Sequence, residues 1–120
     1  TALNISREQT LYARESVAKA GADVDFLEAD YREAKGVYDR VAVIGMAEHV
    51  GEGNYNELAG VVNEHLRDNG LALWHFISRV HPRPTDPFSA KYIFPGGHIP
   101  ALSEVIPHIE NNDLMVLDID

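Results

Sequence analysis

The sequence predicts an α/β fold: a mainly parallel sheet with helices on both faces. Three observations carry this. Segments of strand-like and helix-like periodicity alternate along the chain. The run Val41-Ala42-Val43-Ile44 is continuously apolar, as strands of buried parallel sheets are. Helical stripes fall between strands, so the connections are crossovers and not hairpins.

The elements follow in order. Residues 1–5 look like the end of a strand. Ser6, with Gln9 three positions on, is a capping-box signature for a helix through Ala20. That helix should turn Leu11, Val17 and Ala18 inward and stop at Gly21. Asp23 to Ala29 alternates like a half-buried strand. Tyr38 to Gly45 holds the buried strand. Asn54 and Glu57 offer a second capping pair, and Leu58, Val61, Val62 and Leu66 form an i, i+3, i+4, i+8 stripe that ends at Gly70. Leu71 to Ile77 is another buried strand, with Leu71, Leu73, His75 and Ile77 on one face. Residues 78–100 hold five of the six prolines and read as loop. Ser103 caps a third helix, in which Pro107 is tolerated near the first turn. Leu114 to Asp120 reads as a last strand. The order is therefore β-α-β-β-α-β-loop-α-β.

The composition narrows the function. The 120 residues suffice for one small domain. Ten basic against nineteen acidic residues give a net charge of −9, a poor counter-charge for nucleic acid, which is not expected as a partner. There is no cysteine, so disulfides, thiol nucleophiles and Cys-type zinc sites are excluded within these residues. The six histidines show no metal-ligand spacing, and no metal is expected. No apolar run approaches the roughly 20 residues of a spanning helix. The opening at Thr1, directly on a strand end, reads as that of a piece of a longer protein.

Ligands of such sheets sit beyond the carboxyl ends of the strands. That rule selects Asn4-Ile5, Asp30-Tyr31, Gly45 to His49 and His75 to Arg79. Asp30 could accept from an exocyclic amine while Tyr31 covers a flat base; a solvated turn is the plain alternative. Glu48-His49 could supply acid/base chemistry, or Glu48 could merely favour a helix N-terminus. His75 is either a hydrogen-bonded core residue or a partner of Glu48 in one pocket. Gly51-Glu52-Gly53 lacks the third glycine of a dinucleotide fingerprint. Arg79, Arg83 and Lys91, with His81, form the only local basic cluster; they either face lipid headgroups or belong to a solvated loop.

Longer strings then become decisive. VAVIGMAEHVGEGNY, GLALWHFIS and KYIFPGGHIPALSEVIPHIE together resemble the cyclopropane-fatty-acyl-phospholipid synthases, which are class I S-adenosylmethionine methyltransferases. The similarity runs from LNISREQ to LDID. It implies a partial Rossmann-like sheet, with residues 1–120 as the central and C-terminal part of a single methyltransferase domain. It implies S-adenosylmethionine contacts at Asn4, Ile5, Gln9, Asp30, Tyr31 and Ile44. It implies that Glu48, His75 and Ile77 hold a bicarbonate ion, Ile77 through its carbonyl. The implied reaction adds a methylene group to the double bond of an unsaturated fatty acyl phospholipid. A small molecule or amine as substrate, or a non-catalytic folding or dimerising unit, are the alternatives.

The family's glycine-rich cofactor loop, its cysteine and its late tyrosine lie outside these residues, and Ala47 stands where an aromatic is usual. The resemblance therefore implies little activity and no tight cofactor binding for these residues alone. It also implies unpaired central strand edges, closed by direct pairing or by another chain as a homo-oligomer. The implied location is cytoplasmic, peripheral to the membrane.

Overall fold

A computed structural model describes residues 1–120, which fall into two compact units, residues 1–36 and 37–120.

In the first unit, β1 (Ala2–Asn4) pairs in parallel with β2 (Phe26–Glu28), and α1 (Arg7–Ala20) is the crossover. The predicted cap is present: the Ser6 hydroxyl accepts from the Gln9 N–H at 3.3 Å, and Gly21 closes the helix. The buried stripe differs from the expected one. Thr10, Ala13 and Val17 turn inward, while Leu11 and Ala18 are exposed. Thr10, Ala13 and Val17 share one helix face at i, i+3 and i+7, and Leu11 and Ala18 each stand one residue further round it. The strand predicted over 23–29 shrinks to three residues, since only Phe26 to Glu28 lie opposite β1.

The second unit begins with β3 (Tyr38–Ile44), followed by the single-turn α2 (Ala47–Val50), α3 (Tyr55–His65), β4 (Leu66–His75) and α4 (Leu102–Glu110). β3 and β4 pair in parallel, with Val43 opposite Trp74 and Ile44 opposite His75. Val43, Ala47, Tyr55, Leu58, Ala59, Val62, Val105 and Ile109 form the buried interior, and Trp74, Phe76, Leu114 and Val116 pack against it.

Several expectations change here. Gly70 does not stop α3. The helix ends at His65, and Gly70 lies in an irregularity of β4, where a Cβ would sit 2.7 Å from Leu66 Cδ1 and 2.8 Å from the Arg67 carbonyl. Asn54 makes no side-chain cap; its amide donates to the Val50 carbonyl. α4 starts at Leu102, not after Ser103, and Glu104 Oε2 accepts from the Ala101 N–H at 2.6 Å. Pro107 is then the sixth helical residue, where it deletes one backbone bond. Residues 114–120 form no regular secondary structure and pair with no strand. Leu114 and Val116 touch the core, whereas Met115 and Leu117 point outward.

The two apolar strands are covered on one face only. Val43 is 4% exposed, yet Ile44 is 63% and Leu73 60% exposed. Ala42, Ile44, Leu71, Leu73, His75 and Ile77 thus make an open, largely apolar sheet face. β1 and β3 belong to separate two-stranded sheets, so direct pairing does not close the expected gap. β1 pairs on one side only, with β2, and β3 on one side only, with β4, so each keeps one unpaired edge. No helix is long and apolar enough to cross a membrane.

Candidate functional site

The first unit gathers two of the predicted pairs at one edge. β1 and β2 run parallel with Asn4 opposite Glu28, so the residues after each strand share the carboxyl end. Asn4 Nδ2 donates to Gln9 Oε1 at 2.9 Å, and Asn4 Oδ1 accepts from the Ser6 N–H at 2.8 Å. Asn4 therefore ties the strand end to the first turn of α1 and fixes Gln9. Ile5, at the turn, is 76% exposed.

Asp30 is less free than the sequence suggested. Its Oδ1 accepts from the Arg32 N–H and Nε, and its Oδ2 from Arg32 Nη2, at 2.7–3.0 Å. These bonds pull its carboxyl down to about 2. The same guanidinium lies 5.2 Å from the centre of the Tyr31 ring. Arg32 thus occupies both features assigned to a base: the acceptor and an aromatic face. It was invisible as a competitor because its effect depends on the tight turn over Tyr31–Glu33.

In the second unit, Ile44 ends β3 and pairs with His75. The chain turns at Gly45, whose N–H donates to the His75 carbonyl at 2.8 Å. Two residues later α2 carries Glu48 inward, where it is 2% exposed. Glu48 Oε1 accepts from the Ile77 N–H at 2.7 Å. Glu48 Oε2 is buried and has no partner.

A buried carboxyl oxygen without a donor costs folding free energy, and such an atom asks for an explanation. It can accept one hydrogen bond from a ligand carrying an O–H or N–H. His75 is exposed on the open sheet face, so it is not the core residue of the plain alternative. Glu48 and His75 make no hydrogen bond to each other. The link between α2 and the end of β4 runs through the Ile77 N–H, which leaves the Ile77 carbonyl, the atom expected to face an anion, outside that bond.

The basic cluster is also altered. The Arg79 side chain is only 10% exposed, and its Nη1 donates to the Arg83 and Pro84 carbonyls at 3.1 and 2.8 Å. It braces its own loop, and its charge faces Asp86 at 3.9 Å. Arg83, His81 and Lys91 remain at the surface, with Phe88 and Tyr92 exposed and Lys91 Nζ 5.0 Å from the centre of the Tyr92 ring.

Sequence reasoning missed Gly97, His98 and Glu104. His98 Nε2 and Glu104 Oε1 lie 3.2 Å apart. Glu52 brings a third ligand-type group nearby, with the three donor atoms within 4.8 Å of one another. Glu104 Oε2 caps α4 through the Ala101 N–H and Oε1 faces His98 Nε2, so both carboxyl oxygens already have protein partners. The string KYIFPGGHIP held the signal for this segment, but no spacing rule tells what it touches.

The comparisons with known proteins agree with the strings. The family model described as mycolic acid cyclopropane synthetase matches residues 1–120. The chain is 37% identical over 114 residues to the cyclopropane-fatty-acyl-phospholipid synthase of Escherichia coli K12, covering 94% of this chain and 29% of that protein. It is 32% identical over 119 residues to a probable fatty acid methyltransferase of Mycobacterium tuberculosis, covering 94% of this chain and 28% of that one. The chain thus spans under a third of the length of these relatives.

Its fold matches the cyclopropane synthase MmaA2 from Mycobacterium tuberculosis with a TM-score of 0.83 at 22% identity, over 97% of this chain and 46% of that one. It also matches the mycolic acid cyclopropane synthase CmaA1, solved with SAH and CTAB, with a TM-score of 0.82 at 24% identity, over 97% of this chain and 46% of that one. The parallel α/β units, the strand-end residues and the family match over all 120 residues place the chain in the mycolic acid cyclopropane synthetase family.

Proposed function

We propose that the chain is part of a cyclopropane-fatty-acyl-phospholipid synthase that uses S-adenosylmethionine to add a methylene group to the double bond of an unsaturated acyl chain. The observation that carries this is Glu48: a buried carboxyl group, one oxygen fixed by the Ile77 N–H and the other left without a donor.

S-adenosylmethionine, when bound, supplies an electrophilic methyl group. Asn4, Ile5 and Gln9 would hold its ribose, and Asp30 and Tyr31 its adenine once Arg32 yields. Ile44 would line the cofactor from β3. Glu48 Oε2 suits the O–H of a bicarbonate ion, with His75 and Ile77 as its other contacts. Held there by Glu48, His75 and Ile77, bicarbonate would supply negative charge beside the alkene and a base for the proton that ring closure releases. Burial of Glu48, 2% exposed, keeps bulk water from its carboxyl group.

Residues 1–120 are proposed to belong to one methyltransferase domain, acting on the cytoplasmic side of a membrane to which it binds peripherally. Phe88, Tyr92 and Lys91 form the surface whose chemistry suits a lipid headgroup region. The unpaired edges of β1 and β3 are sites for the rest of the sheet or for a second copy.

The test is Glu48→Gln in the protein that carries this chain. The expected result is a turnover loss of about 100-fold with S-adenosylmethionine affinity unchanged. Near-full turnover, or a defect confined to cofactor affinity, would refute the assignment.

A further inference from the structure

The string Phe94-Pro95-Gly96-Gly97-His98 identifies the family, yet the reaction assigns it no part. Its geometry is that of a tight turn. The Gly97 N–H donates to the Phe94 carbonyl at 2.9 Å. Proline stands second and Gly96 third, with φ at +75°. That is the signature of a type II turn, whose third position demands the left-handed region that glycine tolerates.

The turn is pinned on both sides. Phe94 is buried, with the His49 ring edge-on at 5.1 Å. After the turn, the Ile99 N–H donates to Thr85 Oγ1 at 3.1 Å, and the Pro100 carbonyl accepts from the Arg79 N–H at 2.9 Å. What the turn presents is aimed at one residue. The His98 N–H donates to the Glu48 carbonyl at 2.9 Å. A Cβ on Gly97 would stand 2.0 Å from the Glu48 carbonyl oxygen and 3.1 Å from its carbon.

Glu48 needs outside support. It sits in a helix of four residues, Ala47–Val50, whose N-cap Met46 makes no side-chain cap. One turn of helix has little stability of its own, because nucleation consumes most of what its few bonds give.

We propose that the turn at Phe94–His98 is a brace for Glu48, with Gly97 and His98 as positioning residues. The His98 N–H fixes the Glu48 backbone while the Ile77 N–H fixes its carboxyl group, so the unpartnered Oε2 is held in one place. Gly97 is glycine because the two backbones touch. This rests on the function proposed for Glu48.

The test compares Gly97→Ala with Gly96→Ala in the protein that carries this chain. Gly96 has the positive φ but nothing within 4 Å of its would-be Cβ, so its substitution strains the turn without pushing on Glu48. Relieving the contact at Gly97 requires the Glu48 backbone to move by on the order of 1 Å, a misplacement that costs about 100-fold in rate. The expected result is a kcat about 100-fold lower for Gly97→Ala, with KM and S-adenosylmethionine affinity within about twofold, and a clearly smaller loss for Gly96→Ala.

Equal losses in the two variants, or an unchanged kcat for Gly97→Ala, would overturn the brace. Glu48→Gln, assayed beside them, separates the two ideas. If it stays active, the role of Glu48 fails; if it is inactive while Gly97→Ala is active, only the brace fails. Should Gly97→Ala not fold, replacing the residue-98 amide by an ester deletes the N–H and adds no atom. A kcat loss of about tenfold with cofactor affinity intact then supports the brace, and an unchanged kcat overturns it.

Discussion

Tyr55→Phe is expected to stabilise the second unit. Tyr55 opens α3 and is 1% exposed, packed with Ala47, Val105 and Ile109. Its hydroxyl is buried and has no partner. A buried hydroxyl without a hydrogen bond costs about 1–3 kcal/mol, and phenylalanine keeps the ring and removes the cost. The gain at pH 8 should be about 1 kcal/mol.

Alkaline pH adds a second readout. Burial, and then the nearby carboxyl groups of Glu104, Glu52 and Glu48, push the Tyr55 hydroxyl from 10.0 up to about 12. Folding thus favours the protonated phenol. The stability linked to that proton is fully present below pH 10 and is lost as pH rises through about 12. By pH 11 the parent should have lost about 1.4 kcal/mol through this group alone, while Tyr55→Phe loses none. Urea unfolding at several pH values, followed by the fluorescence of Trp74, the single tryptophan and a neighbour of this core, gives both quantities. A variant less stable than the parent by more than about 1 kcal/mol at pH 8 would mean the hydroxyl makes a stabilising bond, and the reasoning would fail. A stability difference that stays flat from pH 9 to 11 would show that the hydroxyl is not shielded.

Two further outcomes are expected. Arg32→Ala should return Asp30 from about 2 toward the ordinary carboxylate range, as read by NMR titration. The stability that Asp30 contributes is present above that range and lost as pH falls through about 2; because the pair is partly exposed, the change at pH 7 should stay under about 1 kcal/mol. Lysine at both Ile44 and Leu73 should alter stability by no more than about 0.5 kcal/mol, as both are largely exposed. If the open sheet face drives association, the same pair should reduce light scattering at high concentration; unchanged scattering would clear that face.

Much of the fold was legible because its signals are local. Ser6 with Gln9 marked the start of α1, and Gly21 its end, through atoms only a few residues apart. The stripe of Leu58, Val61 and Val62 gave α3 its inward face, and the strand at 38–45 was found within one residue. The strings around Glu48 and Gly97 specified the family, since a long run of particular residues is more informative than any periodicity. What failed were statements about coverage. An apolar run does not say whether one face or both will be buried, so Ile44 and Leu73 read as interior and stand in the open. Residues 114–120 have strand-like residues but no strand beside them.

The sequence by itself determined the alternation of helices and strands, both ends of α1 and the chemical types at each strand end. Only the tertiary structure decided what those types are free to do. Arg32 claims Asp30, Arg79 turns inward to its own loop, and Gly97, 49 residues after Glu48, lies against its backbone. Hydrogen bonds and steric contacts act over a few ångströms of space, and distance along a chain does not encode which groups will meet there.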